Sequence, residues 1–252
     1  MKRFLVLAVT IICIAGCWKQ ENSRKSAGTE ALLNPPLPEN DAAIGSTVEY
    51  FGKKGFKPLA RQCWHEGATP KFMMLFARPG NGSHASGAEI SGLFAEYGGK
   101  GKKWELRARA LAFTENGTWG EPPEPRFMKL GPDRYGFTME PGFMGQGYTK
   151  QALFIYGVIG NQFVELLKIP SYADNAGVVY DDADIYAVKV NLYQVIDNRK
   201  EFYDLKTKLE ITGKYAITPD DEFYEAFGSA REATIGFKNG AYVVGGKDAR
   251  PK

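Results

Sequence analysis

The apolar positions of this chain fall mostly into short runs and period-two alternations, the pattern of strands rather than helices. Asp41–Phe51 is the exception. Ile44, Val48 and Phe51 recur three to four apart behind a capping Asp41, and Gly52 and Gly55 follow. That spacing predicts a short amphipathic helix. From Lys71 onward strands and turns alternate. Lys71–Ala77 is apolar after its opening lysine and stops at Arg78-Pro79-Gly80-Asn81-Gly82. Ile90–Tyr97 runs to Gly98-Gly99-Lys100-Gly101. Trp104, Leu106, Ala108 and Ala110 alternate with Glu105, Arg107 and Arg109, which predicts a strand with one dry face. Pro122, Pro123 and Pro125 predict a long surface loop, and Arg134–Met139 a further short strand.

The strongest strand signals lie in the middle. Gln151–Ile159 is apolar on both faces, Gly160-Asn161 is a turn, and Phe163–Ile169 returns. This predicts a hairpin at the centre of a sheet. Ile185–Ile196 is a long strand that Asp197-Asn198-Arg199 turns. In the next strand Tyr203, Leu205, Thr207, Leu209 and Ile211 alternate with Asp204, Lys206, Lys208 and Glu210. Asp221–Phe227 suits helix or strand, and Thr234–Phe237 with Ala241–Val244 make a last hairpin. About ten strands are expected, with turns every eight to twelve residues. The fold class is therefore mainly β, an antiparallel sandwich, barrel or small propeller-like arrangement with one short N-terminal helix.

The first forty residues follow another logic. Met1-Lys2-Arg3 is basic, Phe4–Ile14 is apolar apart from Thr10, and Lys19–Glu30 is polar. Charged head, apolar middle and small-residue cut site are the parts of a secretory signal. The apolar run is shorter than the roughly 20 residues a membrane-spanning helix needs. Ile14-Ala15-Gly16-Cys17 resembles the lipobox of bacterial lipoproteins. The resemblance implies cleavage before Cys17 and acylation of its thiol and new amine. Several acyl chains hold a protein at a membrane stably. Trp18 is not the Asp that, by the same resemblance, retains a lipoprotein in the inner membrane. The implied location is the cell envelope, at the outer membrane facing the periplasm. The organisation expected is a signal peptide over residues 1–16, a flexible tether over residues 17–40 that is polar and then Pro-rich, and one β-rich domain over residues 41–252.

Composition supports a folded domain: 44% of residues are hydrophobic and 13% aromatic, too many for a disordered chain. The formal charge of +3 includes Lys2 and Arg3 of the signal, so the mature chain is nearly neutral. It has no global attraction for nucleic acid, and no nucleic-acid partner is expected. Cys13 leaves with the signal and Cys17 anchors the lipid. Cys63 then has no partner for an internal disulfide.

Candidate chemistry is sparse. Cys63-Trp64-His65-Glu66 places a thiol two residues from an imidazole, on one face if the segment is extended. A nucleophile also needs a third, orienting group, so a packed or surface cluster is expected. Ser83-His84-Ala85-Ser86-Gly87 is not the Gly-x-Ser-x-Gly elbow of hydrolases, and its composition says turn. Asp174, Asp181, Asp182 and Asp184 form the densest acidic patch. Calcium wants six to eight oxygens, but the EF-hand spacing is missing. A solvated loop with Asx turns is expected there, and no metal or cofactor. Tyr135, Phe137, Phe143, Tyr148, Tyr172 and Tyr186 are candidates for a recognition surface, although sheet packing suits most of them equally. Gly142, Gly145 and Gly147 around Phe143-Met144 predict a flexible contact loop. No catalytic residue is assigned. The expected function is a lipid-anchored, non-catalytic binding module for a protein partner. An inhibitor or immunity protein against a secreted toxin shares its layout of signal, tether and β domain. The alternative is an envelope carbohydrate-binding module or a carboxylate-based hydrolase.

Overall fold

A run such as Phe72–Ala77 is apolar at every position only if both faces of its strand are covered, and both are. The computed structural model describes residues 38–65, 69–83, 86–99, 101–178, 184–215, 222–227, 231–244 and 247–248. Cys17, His84, Asp181 and Asp182 lie outside them. Pro38–Asn40, assigned to the tether from sequence, form a 3-10 turn. Helix α1 (Ala42–Lys53) follows, capped by the Asp41 carboxylate, which accepts a hydrogen bond from the Ala43 amide at 2.9 Å.

Four strands form the first sheet as an antiparallel meander: β1 (Lys57–Trp64), β2 (Lys71–Arg78), β3 (Ala88–Gly98) and β4 (Lys103–Asn116). Helix α1 lies on one face. There Ile44 and Phe51 pack with Phe72, Met74 and Phe76 of β2, Leu93 of β3 and Trp104 of β4. The intervening residues of β2, Met73, Leu75 and Ala77, point the other way, into a core shared with the second sheet. Strand β4 departs from the simple alternation read in its sequence. A register slip opposite Phe94/Ala95 inserts an extra residue, so Trp104 and Leu106 face the helix while Ala108 and Ala110 face the second sheet. A bulge of this kind moves side chains from one face to the other.

The second sheet contains β5 (Arg126–Gly131), β6 (Arg134–Met139), β7 (Gly142–Gly145), β8 (Tyr148–Ile159), β9 (Gln162–Asp174), β10 (Tyr186–Val195), β11 (Asp204–Gly213), β12 (Glu232–Lys238), β13 (Ala241–Val244) and β14 (Lys247–Asp248). Its order is β14-β13-β12-β11-β10-β9-β8-β6-β5, and β7 pairs with β8. The half containing β6, β8 and β9 packs Phe137, Tyr156, Val158 and Phe163 against the first sheet. The other half curls over its own apolar face. Leu167, Ile169, Val188, Leu205, Leu209, Ile235 and Tyr242 share one core with Phe223 and Phe227 of the short helix α2 (Glu222–Phe227). The Tyr203 amide donates to the Leu130 carbonyl at 2.7 Å, which ties β5 to the start of β11. The result is a sandwich-like β fold, neither a closed barrel nor a propeller.

Fourteen strands are present among the described residues, against about ten expected. Of the four missed strands, β14 is only two residues long, and the other three have physical reasons. β1 is an edge strand carrying Pro58 and no clean alternation. β5 follows a proline cluster. β7 has glycine at both ends, and its sequence reads as a flexible loop; instead it is hydrogen-bonded to β8 in register, Phe143 opposite Lys150 and Met144 opposite Thr149. The β8–β9 hairpin turns at Gly160-Asn161 as expected.

Candidate functional site

Two turns that leave the sandwich carry apolar side chains into solvent. The first joins β4 to β5. Glu121 donates its amide to the Thr118 carbonyl at 2.9 Å, and the two central residues, Trp119 and Gly120, both have positive φ, +57° and +74°. That is the signature of a type I′ turn, where Asn-Gly is the favoured pair. A bulky residue with a Cβ in this region is strained. The turn is held from behind: the Gly80 amide donates to the Gly120 carbonyl at 3.1 Å, and the Gly120 amide to the Ser86 carbonyl at 2.9 Å.

The second is the β7–β8 hairpin, turning through Gln146 and Gly147 at φ +52° and +79°. Gly147 lies so close to the loop after β9 that a Cβ on it would come within 2.4 Å of the Gly177 carbonyl carbon. The Gly177 amide donates to the Gly147 carbonyl at 3.0 Å. Phe143 folds its ring back over Gly145, where a Cβ would meet it at 2.3 Å. Trp119, Phe143, Met144, Gly145 and Gln146 line one concavity of about 500 Å3. Trp119 is 64% exposed, Phe143 46% and Met144 77%, and Tyr148 beside them is 43% exposed. Large apolar side chains grouped at the surface mark interaction sites more often than scattered ones do.

The candidates read from sequence divide unevenly over this geometry. Phe143 and Tyr148 belong to the exposed surface. Tyr135 and Phe137 do not: alternate residues of β6 point inward, and both rings are buried between the sheets. Phe137 stacks on Tyr156 at 5.2 Å and Tyr135 meets Trp64 at 4.6 Å. Tyr172 is half-buried, as is Tyr186, which packs on Tyr215 at 4.7 Å. Met144 was read from sequence, with Phe143, as part of a contact loop; Trp119 was not singled out as a contact residue. The available signal for Trp119 was a tryptophan followed by glycine in a loop with no hydrophobic period.

Cys63 packs at the edge of the helix-side core, and burial pushes its thiol up, partly offset by Arg61. A nucleophilic thiol needs the opposite shift. His65, past the end of β1, is exposed. In the acidic stretch, Asp174 accepts the Ala176 amide at 3.0 Å in an Asx turn, and Asp184 pairs with Lys214 at 2.7 Å. Buried Asn175 bridges this loop by donating to the Asp184 carbonyl and accepting from the Tyr186 amide. Among the described residues no three His, Cys, Asp or Glu side chains cluster to hold a metal ion.

Charged groups collect at the seam between the sheets. Lys71, buried at 6% exposure, bonds Glu96, which also accepts from Arg107 Nε at 2.8 Å. Arg134 pairs with Glu201 across the same shallow hollow. Burial alone would raise the Glu96 carboxyl. Lys71 and Arg107 together outweigh that and hold it below the ordinary carboxylate value. The matched charges tie β2, β3 and β4 together, and Glu96 is kept ionised rather than poised as an acid.

No family model matches the chain and no curated protein sequence matches it. One solved structure, Zg3597, a family 117 glycoside hydrolase produced by the marine bacterium Zobellia galactanivorans, is similar over 78% of this chain and 70% of its own at 12% identity, with a TM-score of 0.27. A superposition that loose carries no argument about fold or chemistry.

Proposed function

We propose that this protein is a lipid-tethered, non-catalytic binding module of the cell envelope that holds a protein partner on the Trp119–Phe143–Met144 surface. The observation that carries the reading is the display of Trp119 on a turn whose backbone an aromatic residue does not favour, beside two more exposed apolar side chains. Strain at a surface position points to function when the surroundings enforce it. Both turns are stapled to neighbouring loops, so the surface is ordered before binding and little entropy is lost on docking. Aromatic and Met side chains of this kind supply the buried centre of protein interfaces. The Cys63 thiol raised by burial and the ion-paired Glu96 favour a non-catalytic role. The lipobox at Cys17 supports the envelope location. An inhibitor or immunity protein against a secreted toxin fits this layout.

The test uses the lipidated chain. Mass spectrometry of the mature N-terminus is expected to find an acylated Cys17. Affinity capture from detergent-solubilised envelope is expected to yield a stoichiometric partner with the wild type and none with Trp119→Ala or Phe143→Ala, at unchanged circular dichroism. A partner captured equally by these variants defeats the assignment of the surface. Retention on polysaccharide, abolished by the same substitutions, decides for the carbohydrate alternative.

A further inference from the structure

We propose that Met144 is a redox modification site that switches this surface off; the inference rests on the binding reading above. Met73, Met74 and Met139 are buried at 0%, 6% and 1% exposure, and Met128 is half-buried against the second core. Met144, at 77%, stands out of the hairpin beside Phe143. Oxidants reach thioethers according to exposure, so a two-electron oxidant meets this sulfur first. With a peroxide as oxidant, the sulfur lone pair attacks one peroxide oxygen and an S–O bond forms as the O–O bond breaks. Sulfur loses two electrons, the peroxide gains them, and the departing hydroxide takes the proton carried by the transferred oxygen and leaves as water. The product sulfoxide is polar and a strong acceptor. No repacking is needed to form it, because the β7 backbone bonds to β8 do not involve the side chain. In a docked interface the same oxygen is taken out of water without an assured donor, and that penalty lowers affinity about tenfold or more.

The experiment treats the whole chain with limiting hydrogen peroxide and maps oxidation by peptide mass spectrometry. In parallel, the apolar dye anilinonaphthalene sulfonate probes the concavity. Met144 is expected to convert at least about tenfold faster than Met73, Met74 and Met139, with unchanged circular dichroism and weakened dye binding. Methionine sulfoxide reductase acting on the oxidised protein is expected to restore the dye binding. Uniform oxidation of the methionines overturns the proposal, as does dye binding that survives Met144 conversion, or dye binding that stays lost after the reductase has returned Met144 to the thioether. A Trp119-dependent envelope partner whose capture ignores Met144 oxidation overturns the switch and leaves the binding reading standing. Selective oxidation that abolishes dye binding supports the switch even where no partner is captured.

Discussion

Replacing Trp119 by Ala and by Gly separates the two roles given to this residue. Both variants lose the same ring, which is 64% exposed, so the packing they forfeit is equal and modest. They differ in the backbone. At φ +57° a Cβ costs about 1 to 2 kcal/mol. Glycine escapes that cost but gives back about 0.5 to 1 kcal/mol through the greater freedom of its unfolded chain. The net expectation is that Trp119→Gly is more stable than Trp119→Ala by about 0.5 to 1 kcal/mol, the reverse of the order expected in an element interior. Urea unfolding followed by circular dichroism resolves this difference; in thermal unfolding it amounts to about 2 °C for a chain of this size. Binding does not discriminate between them. A tryptophan at the centre of an interface contributes at least about 2 kcal/mol, so both variants are expected to bind about thirtyfold more weakly or worse. An alanine variant as stable as the glycine variant refutes the strained turn. Full affinity in either refutes the contact surface.

Three other outcomes follow from the geometry. Glu96→Gln strands the Lys71 ammonium at the sheet seam and is expected to destabilise the protein by about 3 kcal/mol; because Glu96 is held below its ordinary value of 4.5, its stabilisation is complete above that pH and fades as pH falls through the lower folded value, a loss that acid titration should find in the wild type and not in the variant. Gly145→Ala drives a methyl into the Phe143 ring, so the ring swings away: partner affinity is expected to drop at least about fivefold with less than about 1 kcal/mol change in stability, and unchanged affinity speaks against the Phe143 pose. Burial keeps Cys63 protonated well past neutral pH, so iodoacetamide at pH 7.5 is expected to label it at least about tenfold more slowly than a free cysteine, and fast labelling contradicts the packing of β1 on α1.

Much of the architecture was legible along the chain because local patterning and global burial agree there. Helix α1 shows its cap in sequence, and of the three apolar positions read there Ile44 and Phe51 are buried and Val48 is half-buried. Strand β11 alternates, and Leu205, Thr207 and Leu209 are buried while Lys206 and Lys208 are exposed. The β8–β9 hairpin lies across the glycine turn, and β2 reads as a continuous apolar run because α1 covers one face and the second sheet the other. Where the register breaks, the sequence misleads. The bulge in β4 moves Ala108 and Ala110 to the opposite face from Trp104, although all four alternating residues look equivalent.

The candidate surface depended most on tertiary structure. Aromatic residues look alike in a strand sequence whether they face core or water, since both environments favour them. Tyr135 and Phe137 are core because β6 lies inside the sandwich; Phe143 is exposed because β7 pairs only at its margin. Trp119 gives no periodic signal at all. Its position is set by contacts between turns far apart in the chain, Gly80 and Ser86 holding Gly120, and Gly177 holding Gly147. Periodicity reports which side of a strand a residue takes, whereas exposure of a whole turn is decided by which other segments stop beside it, and that is a property of the assembled fold.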